Sequence, residues 1–289
     1  MNALAPFLDG IYRLHQSAWS AWARRRYRDD FGRVERFCLF VGYPRSGHSL
    51  VGAMLNAHRD AVIAHELNAP EWILAGCTRE VLYSRILARA YWFNLRGNKS
   101  NHDYRIPGQC QGRFDRLRVI GDKRAGAVTR AIAAHPDFLD RVRALVGVPL
   151  RLVHVVRNPF DNIAAISTWH HMSLEDSAAY YFSHCATVGA LGTVCSPGEV
   201  LTVVHERLVR EPGRVLAELC GFLGLDPYEG YLDDCASVVF AAPTYTRRKM
   251  AWPSAIVADV ERRARSFPHL DGYRFEVGGD RFGAGEASV

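Results

Sequence analysis

The chain of 289 residues is 48% apolar and 23% charged, which fills the core of a globular domain and excludes a disordered or collagen-like chain. Its net charge of +6 predicts an anionic partner, phosphate or sulfate groups rather than nucleic acid, because the basic residues are scattered and no nucleic-acid-binding motif accompanies them. Seven cysteines without a C-x-x-C pair predict neither a zinc site nor a disulfide framework, and a reducing cytoplasm is the expected compartment.

The first residues, MNALAPFLDGIYRL, hold no basic segment followed by an apolar run, so no signal peptide is expected. No stretch of about 18 apolar residues is present to cross a membrane. Residues 1–30 predict an amphipathic helix with Ile11, Leu14, Ala18, Ala21 and Trp22 on one face and Arg24, Arg25 and Arg26 at its end. Such a helix either packs on the domain or makes weak contact with an anionic membrane surface. Residues 31–277 predict one α/β domain, and the Gly-rich tail 278–289 is expected to be flexible.

Within the domain, short apolar runs predict strands at 36–42, 61–64, 117–121, 150–156 and 200–204. Helical spacing occupies 49–58, 69–96 and 212–224, where Pro212 suits a first helical position, and Gly, Pro and Asn mark a long polar loop at 98–115. Strands alternating with helices predict a three-layer α/β/α domain with a central parallel sheet.

The first strand runs into G-Y-P-R-S-G-H-S, Gly42–Ser49, which is a phosphate-binding loop (P-loop) with His48 in place of its lysine. Strand, six-residue turn and helix make an anion cradle from backbone N–H groups and the helix dipole. In nucleotide hydrolases the lysine reaches the β and γ phosphates, while Ser/Thr and an aspartate at a strand end serve Mg²⁺. Here the strand ending HVV leads to Arg157. Asp122 is the one aspartate in a comparable place, with Lys123 beside it to oppose a metal. Arg45, inside the turn, offers a permanent forked donor instead.

Y-P-R-S-G-H-S-L resembles the 5′-phosphosulfate loop of the sulfotransferases, enzymes that use 3′-phosphoadenosine 5′-phosphosulfate (PAPS). The longer stretch VGYPRSGHSLVGAMLNAHRDAVIAHE, residues 41–66, is similar to tyrosylprotein sulfotransferases and their bacterial relatives. HVVRNPFDNIAAISTWH (154–170), VVHERLVREPGRVLAELCGFLGLD (203–226) and PTYTRRKMAW (243–252) extend the resemblance in family order. It implies a P-loop sulfotransferase fold, PAPS as donor substrate, no metal and a hydroxyl acceptor. It assigns the phosphosulfate to Arg45, Ser46, Gly47, His48, Ser49 and Leu50, and the general base to Glu66, twenty-one positions after Arg45. Lys123 would neutralise charge on the leaving phosphate, and His65 is the alternative base.

Arg157, with Arg247 or Arg248, would hold the 3′-phosphate; Lys249 is a further candidate. Asn158 is expected to cap the helix that follows, with Pro159 at its first position and Asp161 in its first turn. One departure stands out: the family's serine eight residues after that arginine is Ala165 here. Ser167 lies roughly 200° further round the helix, whereas Thr168 returns to the same face and is the candidate substitute. The acceptor stays open between a sugar, a lipid and a small hydroxylated metabolite, with the segments 69–96 and 98–115 shaping its pocket. Two other classes remain: a P-loop kinase or hydrolase that consumes Mg·ATP, and a nucleotide-binding or membrane-associated module without catalysis.

Overall fold

Five apolar runs become the strands of one sheet in a computed structural model, which describes residues 19–100, 102–240 and 244–276. They are β1 (Arg36–Val41), β2 (Ala61–His65), β3 (Val119–Lys123), β4 (Leu150–Val156) and β5 (Val200–Val204), in the order β2-β3-β1-β4-β5. Every neighbouring pair is parallel. Parallel strands need crossovers, and these contain α1 (His48–Leu55), α2 (Arg79–Leu95), α3 (Ala125–Ala134), α4 (Pro159–His170) and α5 (Leu174–Gly189); α6 (His205–Arg210), α7 (Pro212–Leu223) and α8 (Ser254–Ala264) follow the last strand.

The alternation of side chains along each strand divides the core into two layers. Leu39, Val41, Val62 and Ile120 pack with Leu82 and Ile86 of α2 and with Phe138 and Val142 on one face. Cys38, Phe40, Ile63 and Val155 pack with Val51 and Met54 of α1 and Leu216 and Leu219 of α7 on the other. A third cluster beyond β4 joins Phe160, Ile163 and Ile166 of α4 to Tyr181 of α5 and Val260 of α8. The architecture is the three-layer α/β/α domain that the strand–helix rhythm predicts.

β4 and β5 begin and end where their apolar runs do. β3 is displaced by two residues from the expected 117–121, because Asp122 and Lys123 are polar yet fully buried and continue the ladder as Ala64↔Asp122 and His65↔Lys123. Lys123 therefore ends the strand rather than following it. The helical stretch 69–96 is two helices, Ala69–Leu74 and α2, separated at Gly76 (φ 75°) and restarted by Thr78, whose hydroxyl accepts the Val81 N–H. Residues 19–26 are helical, with Trp19 stacked on Tyr91 and Trp22 about half exposed. The rest of the expected N-terminal helix, residues 1–18, and the tail 278–289 lie outside the described residues. Among the described residues, no helix is long and apolar enough to cross a membrane. All seven cysteines are unpaired, and Cys38, Cys185, Cys220 and Cys235 are buried.

β1 and β3 approach so closely at Gly121 that a Cβ there would lie 2.1 Å from the Cys38 carbonyl oxygen. A backbone atom cannot yield as a side chain can. Gly121→Ala is therefore expected to lose about 3 kcal/mol of stability, the upper end of overpacking. Gly192→Ala, with open space around it, should stay within about 0.5 kcal/mol. Denaturant unfolding of the two variants checks the contrast.

Candidate active site

Open parallel sheets present ligands at the carboxyl ends of their strands, and the expected loop residues, Glu66, Lys123 and Arg157 lie at or just after such ends. β1 leads into a loop with three left-handed positions, Gly42 (φ 115°), Arg45 (φ 68°) and Gly47 (φ 99°). The Gly42 N–H donates to Thr129 Oγ1 of α3 at 2.8 Å, and Asn162 of α4 donates through Nδ2 to the Pro44 carbonyl at 2.8 Å. The loop is thus pinned from two helices. α1 opens at His48, so its first N–H groups have no intrahelical acceptor and face the position an anion would take. Gly47 must be glycine twice over: its φ is left-handed, and a Cβ would lie 2.4 Å from the His205 ring.

His48 is buried, with Nδ1 3.2 Å from Ser46 Oγ. Burial, reinforced by the Lys123 charge, lowers its pKa to about 3. At neutral pH it is an uncharged imidazole tied to the loop's own serine. The Arg45 guanidinium stands 4.7 Å over the ring of Trp169, at the far end of α4.

The next strand end supplies the carboxylate. Glu66 directly follows β2 and is half exposed, while Lys123 at the end of β3 has 1% of its surface exposed. Lys123 Nζ lies 2.9 Å from Glu66 Oε1 and 2.8 Å from Ser49 Oγ. Partial burial pushes the Glu66 carboxyl up, but the Lys123 charge and hydrogen bond outweigh it and hold the group below the usual carboxylate range. Burial lowers Lys123, and the Glu66 charge opposes that. The lysine stem passes along α1 where Gly52 stands; a Cβ there would lie 2.6 Å from Lys123 Cγ. His65 is stacked on Phe93 with ring centroids 4.0 Å apart, and burial lowers its pKa to about 2. Its ring packs against aromatic neighbours and is uncharged at neutral pH.

On the other side of β1, Arg157 follows β4 and precedes α4. Asn158 Oδ1 accepts the Phe160 N–H at 3.0 Å and Pro159 takes the first helical position, as the sequence predicts. Arg157 is buried, and its Nη2 donates to the Thr244 carbonyl and, at 3.1 Å, to Thr246 Oγ1. Nη1 makes a long contact, 3.5 Å, with the Arg45 carbonyl. Arg157 thereby ties the anion loop to the C-terminal segment.

Arg247 is placed differently from the expectation. Its guanidinium is ion-paired with Asp161 in the interior, its N–H donates to Asp161 Oδ1 at 2.9 Å, and its Nε donates to the Phe275 carbonyl at 2.8 Å. Arg248 and Lys249 are exposed, with Arg248 against the Tyr245 ring. Thr168 is exposed, and its hydroxyl donates to the Ala164 carbonyl at 2.9 Å, while Ser167 donates to the Met172 carbonyl. In this geometry both hydroxyls near Ala165 bond to backbone.

The structure adds Thr129, Asn162, Trp169, Thr246 and Asp122, none of which the sequence marks for these contacts. Asp122 was legible only as a metal-type aspartate. Its two oxygens instead accept the Leu67 and Ala69 N–H groups.

The sequence profile of the sulfotransferase family matches residues 39–230, more than half of the chain. Among solved structures, the chain is similar to the sulfotransferase domain of the Synechococcus PCC 7002 olefin synthase, at 17% identity and a TM-score of 0.50, covering 81% of this chain and 94% of that one. It is also similar to a sulfotransferase from Alicyclobacillus acidocaldarius, at 18% identity and a TM-score of 0.48, covering 86% and 99%. At such identities the likeness is one of fold. No curated protein matches the chain.

Two substitutions test the site's electrostatics. A buried histidine whose pKa falls on folding costs stability as pH drops below its ordinary value of 6.5, because the unfolded chain then binds a proton that the folded one refuses. His48→Thr should therefore flatten the loss of stability between pH 6.5 and 4.5 by about 1.4 kcal/mol per pH unit, measured by denaturant unfolding across that range. Arg247→Met takes the guanidinium away from the buried Asp161 carboxylate and should cost about 3–5 kcal/mol; replacing both partners with apolar residues should recover most of that loss.

Proposed function

The chain belongs to the sulfotransferase family, and from that premise we propose that it moves a sulfuryl group from PAPS to a hydroxyl acceptor, with Glu66 as general base. The observation that carries this reading is the Lys123 ammonium, held between Ser49 at the mouth of the anion loop and the Glu66 carboxylate. The acceptor O–H gives its proton to Glu66, the oxygen attacks sulfur in line, and the S–O bond to the phosphate breaks with its electron pair left on 3′-phosphoadenosine 5′-phosphate. Arg45, Lys123 and the N–H groups from Ser46 to Ser49 neutralise the charge that develops on that phosphate, while the Leu50 N–H closes the first turn onto the Gly47 carbonyl.

Arg157 and Thr246 form the seat for the 3′-phosphate, with Arg248 the exposed cation beside it. Arg247, already committed to Asp161, stabilises the segment that carries them. The reading needs no metal: two cations and the loop N–H groups supply the positive charge. The acceptor is a small-molecule, glycan or lipid hydroxyl that reaches the half-exposed Glu66. Seven unpaired cysteines favour a reducing compartment such as the cytoplasm, and exposed Trp22, Arg25 and Arg26 favour weak contact with an anionic membrane surface.

Calorimetric titration with 3′-phosphoadenosine 5′-phosphate, and separately with Mg·ATP, tests the donor. The bisphosphate should bind preferentially, and Arg157→Ala should weaken it about ten- to a hundredfold, the loss of a charge-assisted hydrogen bond. Preference for Mg·ATP would return the P-loop kinase or hydrolase; binding without transfer to any acceptor would return the silent module. Glu66→Gln should slow transfer about 10²–10⁴-fold and leave bisphosphate affinity unchanged. Because Lys123 lowers the Glu66 pKa, wild-type activity should persist as pH falls through the usual carboxylate value of 4.5 and disappear only below it.

A further inference from the structure

Glu66 stands on a turn that its own residue types disfavour. Its φ is 61° and that of Asn68 is 70°, left-handed values that asparagine tolerates and glutamate rarely adopts. Asn68 donates through Nδ2 to Glu71 and Arg89 donates through Nε to the His65 carbonyl, but the backbone N–H groups within the turn are taken by a side chain of the neighbouring strand. Asp122, wholly buried in β3, accepts the Leu67 N–H through Oδ1 at 2.9 Å and the Ala69 N–H through Oδ2 at 2.8 Å. The two N–H groups flank Asn68, so the carboxylate bridges the backbone on both sides of the second left-handed residue. Asparagine could not replace it, since its amide offers one acceptor and would aim N–H at N–H on the other side.

Asp122 and Lys123 are consecutive in β3 and so leave opposite faces of the sheet. One grips the backbone after Glu66, and the other grips the Glu66 carboxylate. We propose that Asp122 is a positioning residue for Glu66, fixing the left-handed turn that delivers the carboxylate to Lys123 and to the acceptor hydroxyl. Its importance to transfer rests on the reading of Glu66 as the base; its hold on the turn does not.

The test is the titration of the Glu66 carboxyl by ¹³C NMR in glutamate-labelled protein, with its signal assigned by loss in Glu66→Gln. The groups that face Glu66 are Lys123 at the end of β3, Arg124 just after it, His48 on α1 and Tyr104 of the loop before β3; Asp122→Asn removes none of them. If Asp122 holds the turn, Asp122→Asn loosens the contact with Lys123 and the Glu66 pKa rises toward its ordinary value. Loss of the Asp122 charge alone would move it down, so the sign separates positioning from simple electrostatics.

Transfer to p-nitrophenol or to water should fall about tenfold or more, as for a misplaced reacting group, while affinity for 3′-phosphoadenosine 5′-phosphate stays unchanged. Added to Glu66→Gln, Asp122→Asn should cause no further loss. A Glu66 titration unmoved by Asp122→Asn, or rate losses that multiply in the double variant, would overturn the proposal. Should Asp122→Asn not fold, Asp122→Ser keeps one acceptor without the misdirected N–H and gives the same comparison. If Glu66→Gln keeps full transfer, the base reading falls, and the titration still decides the role of Asp122.

Discussion

A lysine ammonium with 1% of its surface exposed has to be compensated inside the protein, and the whole site is arranged around how Lys123 is compensated. β3 lies between β1 and β2, so its last residue can reach partners on both neighbours. The chain after β1 sends Ser49, and the chain after β2 sends Glu66. Even α1 is cut to this purpose, since Gly52 sits mid-helix, where glycine costs about 1 kcal/mol relative to alanine, and gives the lysine stem its path. A base paired this tightly with a cation is a weak one. In the proposed reaction, the donor's phosphosulfate competes for the ammonium, and each increment of charge that Lys123 gives to the donor frees Glu66 to accept a proton.

Strand order then sets the scale of the proposed donor seat. Lys123 leaves β3 on one side of β1, and Arg157 leaves β4 on the other. Two strand spacings, about 10 Å, lie between the backbones that carry these cations, with the anion loop centred between them. That span suits a nucleotide charged at both its 5′ and 3′ ends better than a triphosphate, whose charges follow one line. The buried Arg247–Asp161 pair belongs to the same frame. It locks the C-terminal segment against α4, and that segment brings Thr244 and Thr246 onto Arg157.

What the sequence makes legible follows from how local each signal is. β1, β4 and β5 are mainly apolar runs and read correctly to within a residue; β3 does not, because its polar last residues resemble a loop until their partners are known. Those partners stand 53 to 57 positions away, at Leu67, Ala69 and Glu66. Asp122 therefore reads as a metal-type aspartate when it is a backbone staple. Arg247 reads as an anion ligand for the same reason: the carboxylate that claims it lies 86 positions earlier. Glu66 is singled out by family spacing rather than by local composition, and the structure sets it beside Lys123. Trp169 beneath Arg45 has no such spacing and no local signal.

The absent loop lysine finds its explanation in the same geometry. In a P-loop of the ordinary kind the cation comes from the residue before the Ser/Thr; here that residue is His48, buried and uncharged. The ammonium arrives instead from β3, with Nζ 2.8 Å from Ser49. The charge has not been lost from the loop's mouth; it has been moved to a different strand. A lysine at 48 would set a second cation close to Lys123 in a space that already disfavours one. A neutral imidazole bonded to Ser46 fills the position without that repulsion, and it leaves the ammonium where it faces Glu66 and Ser49 together.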